Sequence, residues 1–272
     1  MIKLRTSSSI EPFRERAEKA LGLERYDWRV SNYNEPVVFL GLYHNGDWKS
    51  FLQPRVKRYV LWSGGDIQNF KRGYYYGDGK GLWKSKIARL FNWQKKIIRT
   101  PAEHFCENNL QREALEKCGI RAKVVPAFWG NIKDFPVSFE RTEPFTIWIC
   151  GHPGREKEYG WEIAKRMQAK FPEIKFIFYG VDRILTEEEF NNEIKKYHCL
   201  LRLNEHDGFS DALAKAVLMG QFAISKVKHK YIPSYETEEE LENLIKLALT
   251  QTKPNLKARN YYLKTFNKYP FL

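Results

Sequence analysis

The sequence predicts an α/β fold: parallel strands with helices on both faces, divided into two halves. Three observations predict it. From Phe145 onward, short apolar runs alternate with helical patterns in the order strand, glycine-containing loop, helix, strand, which is a βαβ unit. In the first half, two further apolar runs, Pro36 to Leu40 and Arg58 to Trp62, each lead into a glycine-containing turn. The length, 272 residues, suits one large domain or two of roughly 100–150 residues each.

Taken in order, residues 1–29 open with a polar segment and an amphipathic helix from Ile10 to Leu21, with Phe13, Ala17, Ala20 and Leu21 on one side. Pro36 to Leu40 reads as a buried strand. It runs into Gly41-Leu42-Tyr43-His44, a ligand loop or a plain turn. Arg58 to Trp62 is a second strand, ending in Ser63-Gly64-Gly65-Asp66. Asp66 is a candidate binding residue or the pivot of an ordinary Asx-turn.

Residues 48–100 hold thirteen Lys or Arg against two Asp, most of the chain's formal charge of +13. Within them Gly73 to Gly81 has the glycine content of a loop. Leu82 to Arg99 follows as one basic amphipathic helix, with Leu82, Trp83, Ile87, Leu90, Phe91, Trp93, Ile97 and Ile98 on its apolar half and Lys84, Arg89, Asn92, Lys95, Lys96 and Arg99 opposite. Such a helix either packs on the sheet or lies on an anionic membrane surface. A helix capped by Asn108 or Asn109 and closed at Gly119 leads to a short strand, Arg121 to Pro126. Residues 127–143 read as a linker.

Phe145 to Cys150 is the first strand of the second half. It enters Gly151-His152-Pro153-Gly154-Arg155-Glu156-Lys157, which lacks the dinucleotide spacing. A helix from Trp161 to Lys170, a strand from Ile174 to Tyr179, a helix from Glu187 to Lys196 and a strand from Cys199 to Leu203 continue the alternation. Next comes the polar turn His206-Asp207-Gly208-Phe209-Ser210. An apolar helix closed by Gly220 and the strand Phe222 to Ser225 complete it. A loop feeding a helix N-terminus is suited to phosphate, and a carboxylate just ahead of it to sugar hydroxyls. Tyr235 to Leu249 and Asn255 to Leu272 read as closing helices.

The composition bounds the classes. No run of eighteen apolar residues offers a membrane span, and the first residues lack the apolar stretch of a signal peptide. Four cysteines without a Cys-x-x-Cys pair suit reduced thiols better than a disulfide framework or zinc site. The chain is therefore read as cytoplasmic. Its positive charge and its aromatic content of 15% call for an anionic partner: nucleic acid, an acidic membrane surface or a phosphorylated substrate. No metal-ligand spacing and no Ser-His-Asp arrangement is evident.

The stretch Asp207-Gly208-Phe209-Ser210, with Gly220-Gln221-Phe222-Ala223-Ile224 downstream, resembles the signature of the GT-B glycosyltransferases, specifically the retaining family-4 group. The resemblance implies two Rossmann-like domains facing each other across a cleft: residues 1–130 for the acceptor, 131–250 for a nucleotide sugar, and a helical tail, 251–272, returning to the first domain. It implies metal-independent hexosyl transfer, with the nucleotide sugar as substrate and no cofactor. Asp207 would be catalytic, holding sugar hydroxyls. Gly151, Arg155, Lys157, His206, Gly208, Phe209, Ser210 and Lys215 would bind the donor, and Gly41, His44 and Asp66 would face the cleft. Arg155 and Lys157 are otherwise solvated loop cations.

Lys215 departs from the pattern, because the family has a second Glu there. An ammonium has donors only and cannot reproduce a carboxylate's contact with ribose hydroxyls. An altered donor contact, a turn toward the phosphates and lost catalysis are the three outcomes. The basic segment implies a peripheral seat on the inner membrane face and a membrane-associated acceptor. The rival readings are a non-catalytic GT-B-like binding protein and a basic nucleic-acid-binding protein, in which aromatics stack on bases.

Overall fold

The computed structural model describes residues 1–26, 34–53, 56–73, 92–139, 143–152, 154–180 and 183–272. The loop expected after Gly73 and the first part of the helix expected from Leu82 lie outside the described residues. The chain divides into two compact units, Met1–Trp129 with Asn267–Leu272, and Gly130–Phe266.

The first unit is built on six strands: β1 (Lys3–Thr6), β2 (Glu24–Arg25), β3 (Val37–Leu40), β4 (Arg58–Leu61), β5 (Glu103–Cys106) and β6 (Ala122–Val124). They form one sheet in the order β2-β1-β3-β4-β5-β6, with every pairing parallel. Both faces are covered, so β3 is apolar at all four positions. Val37 and Phe39 join the core under α2 (Asn45–Phe51), α3 (Gly65–Arg72), α4 (Trp93–Arg99) and α5 (Asn109–Glu116). Val38 and Leu40 join the opposite core, under α1 (Arg14–Leu21) and Tyr269. Trp48, Phe51 and Phe70 are fully buried, each contributing roughly 1.5–3 kcal/mol of apolar transfer.

The second unit holds β7 (Thr146–Cys150), β8 (Lys175–Tyr179), β9 (Cys199–Arg202) and β10 (Phe222–Ser225), in the order β10-β9-β7-β8 and again all parallel. Its helices are α6 (Trp161–Lys170), α7 (Glu187–Ile194), α8 (Asp211–Met219), α9 (Glu238–Thr250) and α10 (Leu256–Thr265). Helices α6 and α9 supply Trp161, Ala164, Met167, Leu241 and Ile245 to one core. Helix α8 is buried from Ala212 to Met219, packed on β9, β10 and α10. Apart from Asp211 and Lys215 it is apolar all round, the form expected of a helix enclosed by other elements. Thr186 and Thr237 start α7 and α9 with capping boxes to Glu189 and Glu240.

Several expectations are corrected. The helix expected from Ile10 starts at Arg14, because Ser8–Phe13 is a 3-10 segment broken at Ile10 (φ −129°, ψ 26°) and containing Pro12. The single helix expected from Leu82 to Arg99 does not run through Asn92, whose φ is +49°. Ile98, expected on its apolar half, is 41% exposed. The tail is helical only to Thr265. That helix, α10, stays in the second unit, and only Asn267–Leu272 join the first. Strands β1, β2 and β5 and helices α2 and α3 were not foreseen. They are short, and β1 buries a single side chain, Leu4. Among the described residues no helix is long and apolar enough to cross a membrane.

Candidate functional site

In an open parallel sheet, ligands bind at the carboxyl ends of the strands. In the second unit these ends carry most of the residues singled out from the sequence. Ile149 of β7 pairs with Leu201 of β9, so Cys150 and Arg202, the last residues of neighbouring strands, end side by side. Gly151 follows directly. A Cβ there would lie 2.4–2.5 Å from the Trp161 indole, so only glycine lets the first residue of α6 pack beneath the strand end. The Cys150 thiol is pushed up to about 11 by burial, which leaves it protonated and without a nucleophile's charge.

The loop from Gly151 to Gly160 presents Arg155 and Lys157, both exposed. Arg155 pairs with Glu158 through Nε (2.9 Å) and Nη2. Its guanidinium carbon lies 5.7 Å from the centre of the Tyr159 ring. Arg202 approaches the same ring to 5.2 Å. One tyrosine is thus shared by two guanidinium groups.

The turn after β9 is ordered by burial at Phe209, whose ring contacts Tyr262 (4.5 Å between centroids), His229 (4.9 Å) and Phe266 (5.3 Å). Phe209 therefore ties the turn to α10. Ser210 caps α8, its Oγ accepting from the Leu213 N–H at 3.2 Å. Gly208 is buried and His206 exposed. Asp207 is not simply turned outward: its Oδ2 accepts from Arg202 Nε at 2.5 Å, with the arginine side chain 10% exposed and the aspartate 22%.

Lys215 is 2% exposed. Its Nζ pairs with Asp211 (2.7 Å) and with Glu187 (3.6 Å) and lies over the rings of Phe135 and Phe190 at 5.6 and 5.3 Å. A buried ammonium requires such compensation. Lys215 is therefore met by two carboxylates, one on its own helix and one on α7.

Gly41, His44 and Asp66 lie in the first unit, where each has a local role. Gly41 has φ +76°, and a Cβ there would fall 2.5 Å from the Tyr43 ring. His44 caps α2: its Nδ1 accepts from the Asp47 N–H at 3.3 Å, and Asp47 Oδ2 accepts from the His44 N–H. Its Nε2 lies 2.8 Å from Ser8 Oγ. The same Nε2 lies 3.4 Å from Asp47 Oδ2, so the ring is tied to the turn on both sides. Asp66 is fully buried and accepts the N–H groups of Leu42, Ser63, Gly64 and Ile67 at 2.9–3.2 Å. It is an Asx-turn extended to stitch the loop after β3 to that after β4, and burial pushes its carboxyl up to about 6. A crevice in the same unit, lined by Trp62, Ser63, Glu107, Trp129 and Tyr269, includes none of the three.

The residues missed from the sequence are Arg202, Tyr159, Asp211, Glu187 and His229. Arg202 had a signal, a charge ending the otherwise apolar strand Cys199-Leu200-Leu201. His229 had none. Its ring meets Phe209, burial pushes it down to about 4, and its Nε2 has no partner among the described residues. Among those residues no group of three or more His, Cys, Asp or Glu could hold a metal ion.

Neither a protein-family model nor a curated protein matches the sequence. Solved structures do match. Sucrose-phosphate synthase from Thermosynechococcus elongatus has a TM-score of 0.61 at 11% identity, covering 85% of this chain and 69% of that one. The lipopolysaccharide outer core galactosyltransferase WaaB gives 0.51 at 10%, covering 86% and 96%. The pneumococcal O-GlcNAc transferase GtfA, in complex with UDP and GlcNAc, gives 0.50 at 13%, covering 93% and 57%. This chain spans about half of TarM, 52% of its length. At these identities the likeness establishes the fold: GT-B class, with two Rossmann-like α/β units.

Proposed function

We propose that this protein is a nucleotide-sugar-dependent glycosyltransferase. The observation that carries the reading is the convergence at one end of the second sheet of the Arg155 and Lys157 loop, the Asp207 turn and the N-terminus of α8. The fold, and neighbours that include an enzyme bound to UDP and GlcNAc, support it. In this reading Arg155 and Lys157 neutralise the diphosphate as the glycosidic bond breaks, with the first turn of α8 adding its dipole. Cations and backbone donors then do what a metal would do elsewhere. Gly151 lets Trp161 pack beneath the strand end that carries this loop, and Asp207 contacts the sugar hydroxyls.

The finer parts of the proposal are hexosyl transfer with retention and a membrane-associated acceptor. Support for the membrane comes from exposed Lys71, Arg72, Lys95, Lys96 and Arg99 on α3 and α4. Gln94 of α4 donates to the Phe70 and Lys71 carbonyls, joining the two helices.

A thermal-shift screen against UDP-, GDP-, ADP- and dTDP-sugars tests the reading. One of them at millimolar concentration is expected to raise the melting temperature by about 3 °C or more. No shift with any of the four would remove it. Given a donor, the anomeric proton coupling of the product separates retention from inversion.

A further inference from the structure

We propose that Arg202 is the second jaw of a diphosphate clamp, with Arg155 as the first and Tyr159 as the plate on which both guanidinium groups rest. The inference rests on the glycosyltransferase reading for the identity of the natural ligand, but its geometry stands apart from it. Two guanidinium carbons lie 5.7 and 5.2 Å from one ring centre, which places the two charges no more than about 11 Å apart. Like charges gathered on one ring at the carboxyl ends of adjacent strands form a site for an anion with more than one charge.

The two jaws are held differently. Glu158, the partner of Arg155, has a side chain 60% exposed, and such a surface pair contributes little. It can release Arg155 to an incoming phosphate at small cost. Arg202 is buried to 8% exposure, and Asp207 holds it through Nε alone. Its Nη1 and Nη2 have no partner among the described residues, and neither is among the enclosed atoms left unpaired. The side chain keeps 10% of its surface exposed, and the fork it carries is the group that binds phosphate oxygens in pairs. Asp207 becomes a positioning residue for Arg202 as well as a sugar contact.

The test uses the full chain and inorganic pyrophosphate and orthophosphate as probes, by titration calorimetry at low and physiological salt. Wild type is expected to prefer pyrophosphate by about tenfold or more. Arg202→Met is expected to lose that preference with orthophosphate affinity nearly unchanged. Arg202→Lys recovers part of it, because an ammonium is a point charge. Arg155→Met, at an exposed position where folding is not at issue, is expected to lose it too. Failure of wild type to bind pyrophosphate at millimolar concentration, or Arg155→Met with the wild-type preference, would overturn the clamp. Nucleotide sugars bound equally by wild type and both Met variants would overturn it and leave the glycosyltransferase reading standing. Pyrophosphate preference lost in the variants, with no nucleotide sugar bound by wild type, would keep the clamp and remove that reading.

Discussion

Lys215 shows how a single side chain is fixed by its surroundings. Lys215→Glu would set a third carboxylate against Asp211 and Glu187 in a site 2% exposed. The expected result is a loss of about 2–4 kcal/mol, not a tighter donor site. Lys215→Met should cost less, since the Asp211 and Glu187 side chains are 24% and 54% exposed and stay hydrated. Urea denaturation of the two variants checks the order, and equal midpoints would refute it. His104 supplies the pH prediction. Its Nδ1 accepts from Trp62 Nε1 at 3.2 Å, and burial pushes the ring down to about 4 from 6.5. The neutral form is favoured in the folded state, so stability is fully present above pH 6.5 and is lost as pH falls toward 4. The loss approaches roughly 3 kcal/mol. His104→Gln should remove the share of that slope that His104 supplies, leaving those of His229 and Asp66.

At the scale of elements, the Asp207 turn is rigid because Phe209 is seated among Tyr262, Phe266 and His229. Helix α10 is held in addition by Arg259, which donates to the carbonyls of Phe135 (3.2 Å) and Leu218. Phe209→Ala removes the ring that joins turn to helix, and is expected to cost about 3–5 kcal/mol. Hydrogen exchange should show lost protection in α10 and in the first turn of α8, with β7 and β8 unchanged. Uniform loss across the second unit would mean that the ring is part of the general core and not a local tie.

For the whole molecule, the return of Asn267–Leu272 to the first unit matters most. The Asn267 side chain accepts from the Phe128 N–H at 3.0 Å and donates to the Phe128 carbonyl at 2.6 Å. Tyr269 and Phe271 pack on Phe105 and Tyr59. Deleting these six residues is expected to destabilise β3 to β5 by several kcal/mol, about 1.5–3 for each aromatic ring uncovered. Protection of β7 to β10 should be unchanged, and the comparison is read by exchange mass spectrometry. The charge of +13 also belongs at this scale. Binding to anionic liposomes in preference to single-stranded oligonucleotides is the outcome expected of the proposed enzyme, and the reverse, with a steep salt slope, would favour the nucleic-acid reading.

Read from the sequence alone, the alternation of apolar strands, glycine turns and helices already determined an α/β chain in two halves, because burial on both faces of a parallel sheet leaves a pattern along the chain. Val37 to Leu40, Cys199 to Arg202 and Phe222 to Ser225 were legible for that reason, as was Ser210 at the head of α8. Short elements such as β1 and β2 were not, since they bury too little to mark a period. What only the tertiary structure decided is which charge meets which. Asp211 and Lys215 stand at helical spacing and Arg155 and Tyr159 share one loop, but Arg202 with Asp207, Lys215 with Glu187 and Arg202 on Tyr159 are contacts that no period along the chain announces. They arise only once strands, loops and helices are packed, and desolvation then requires each buried charge to find a partner.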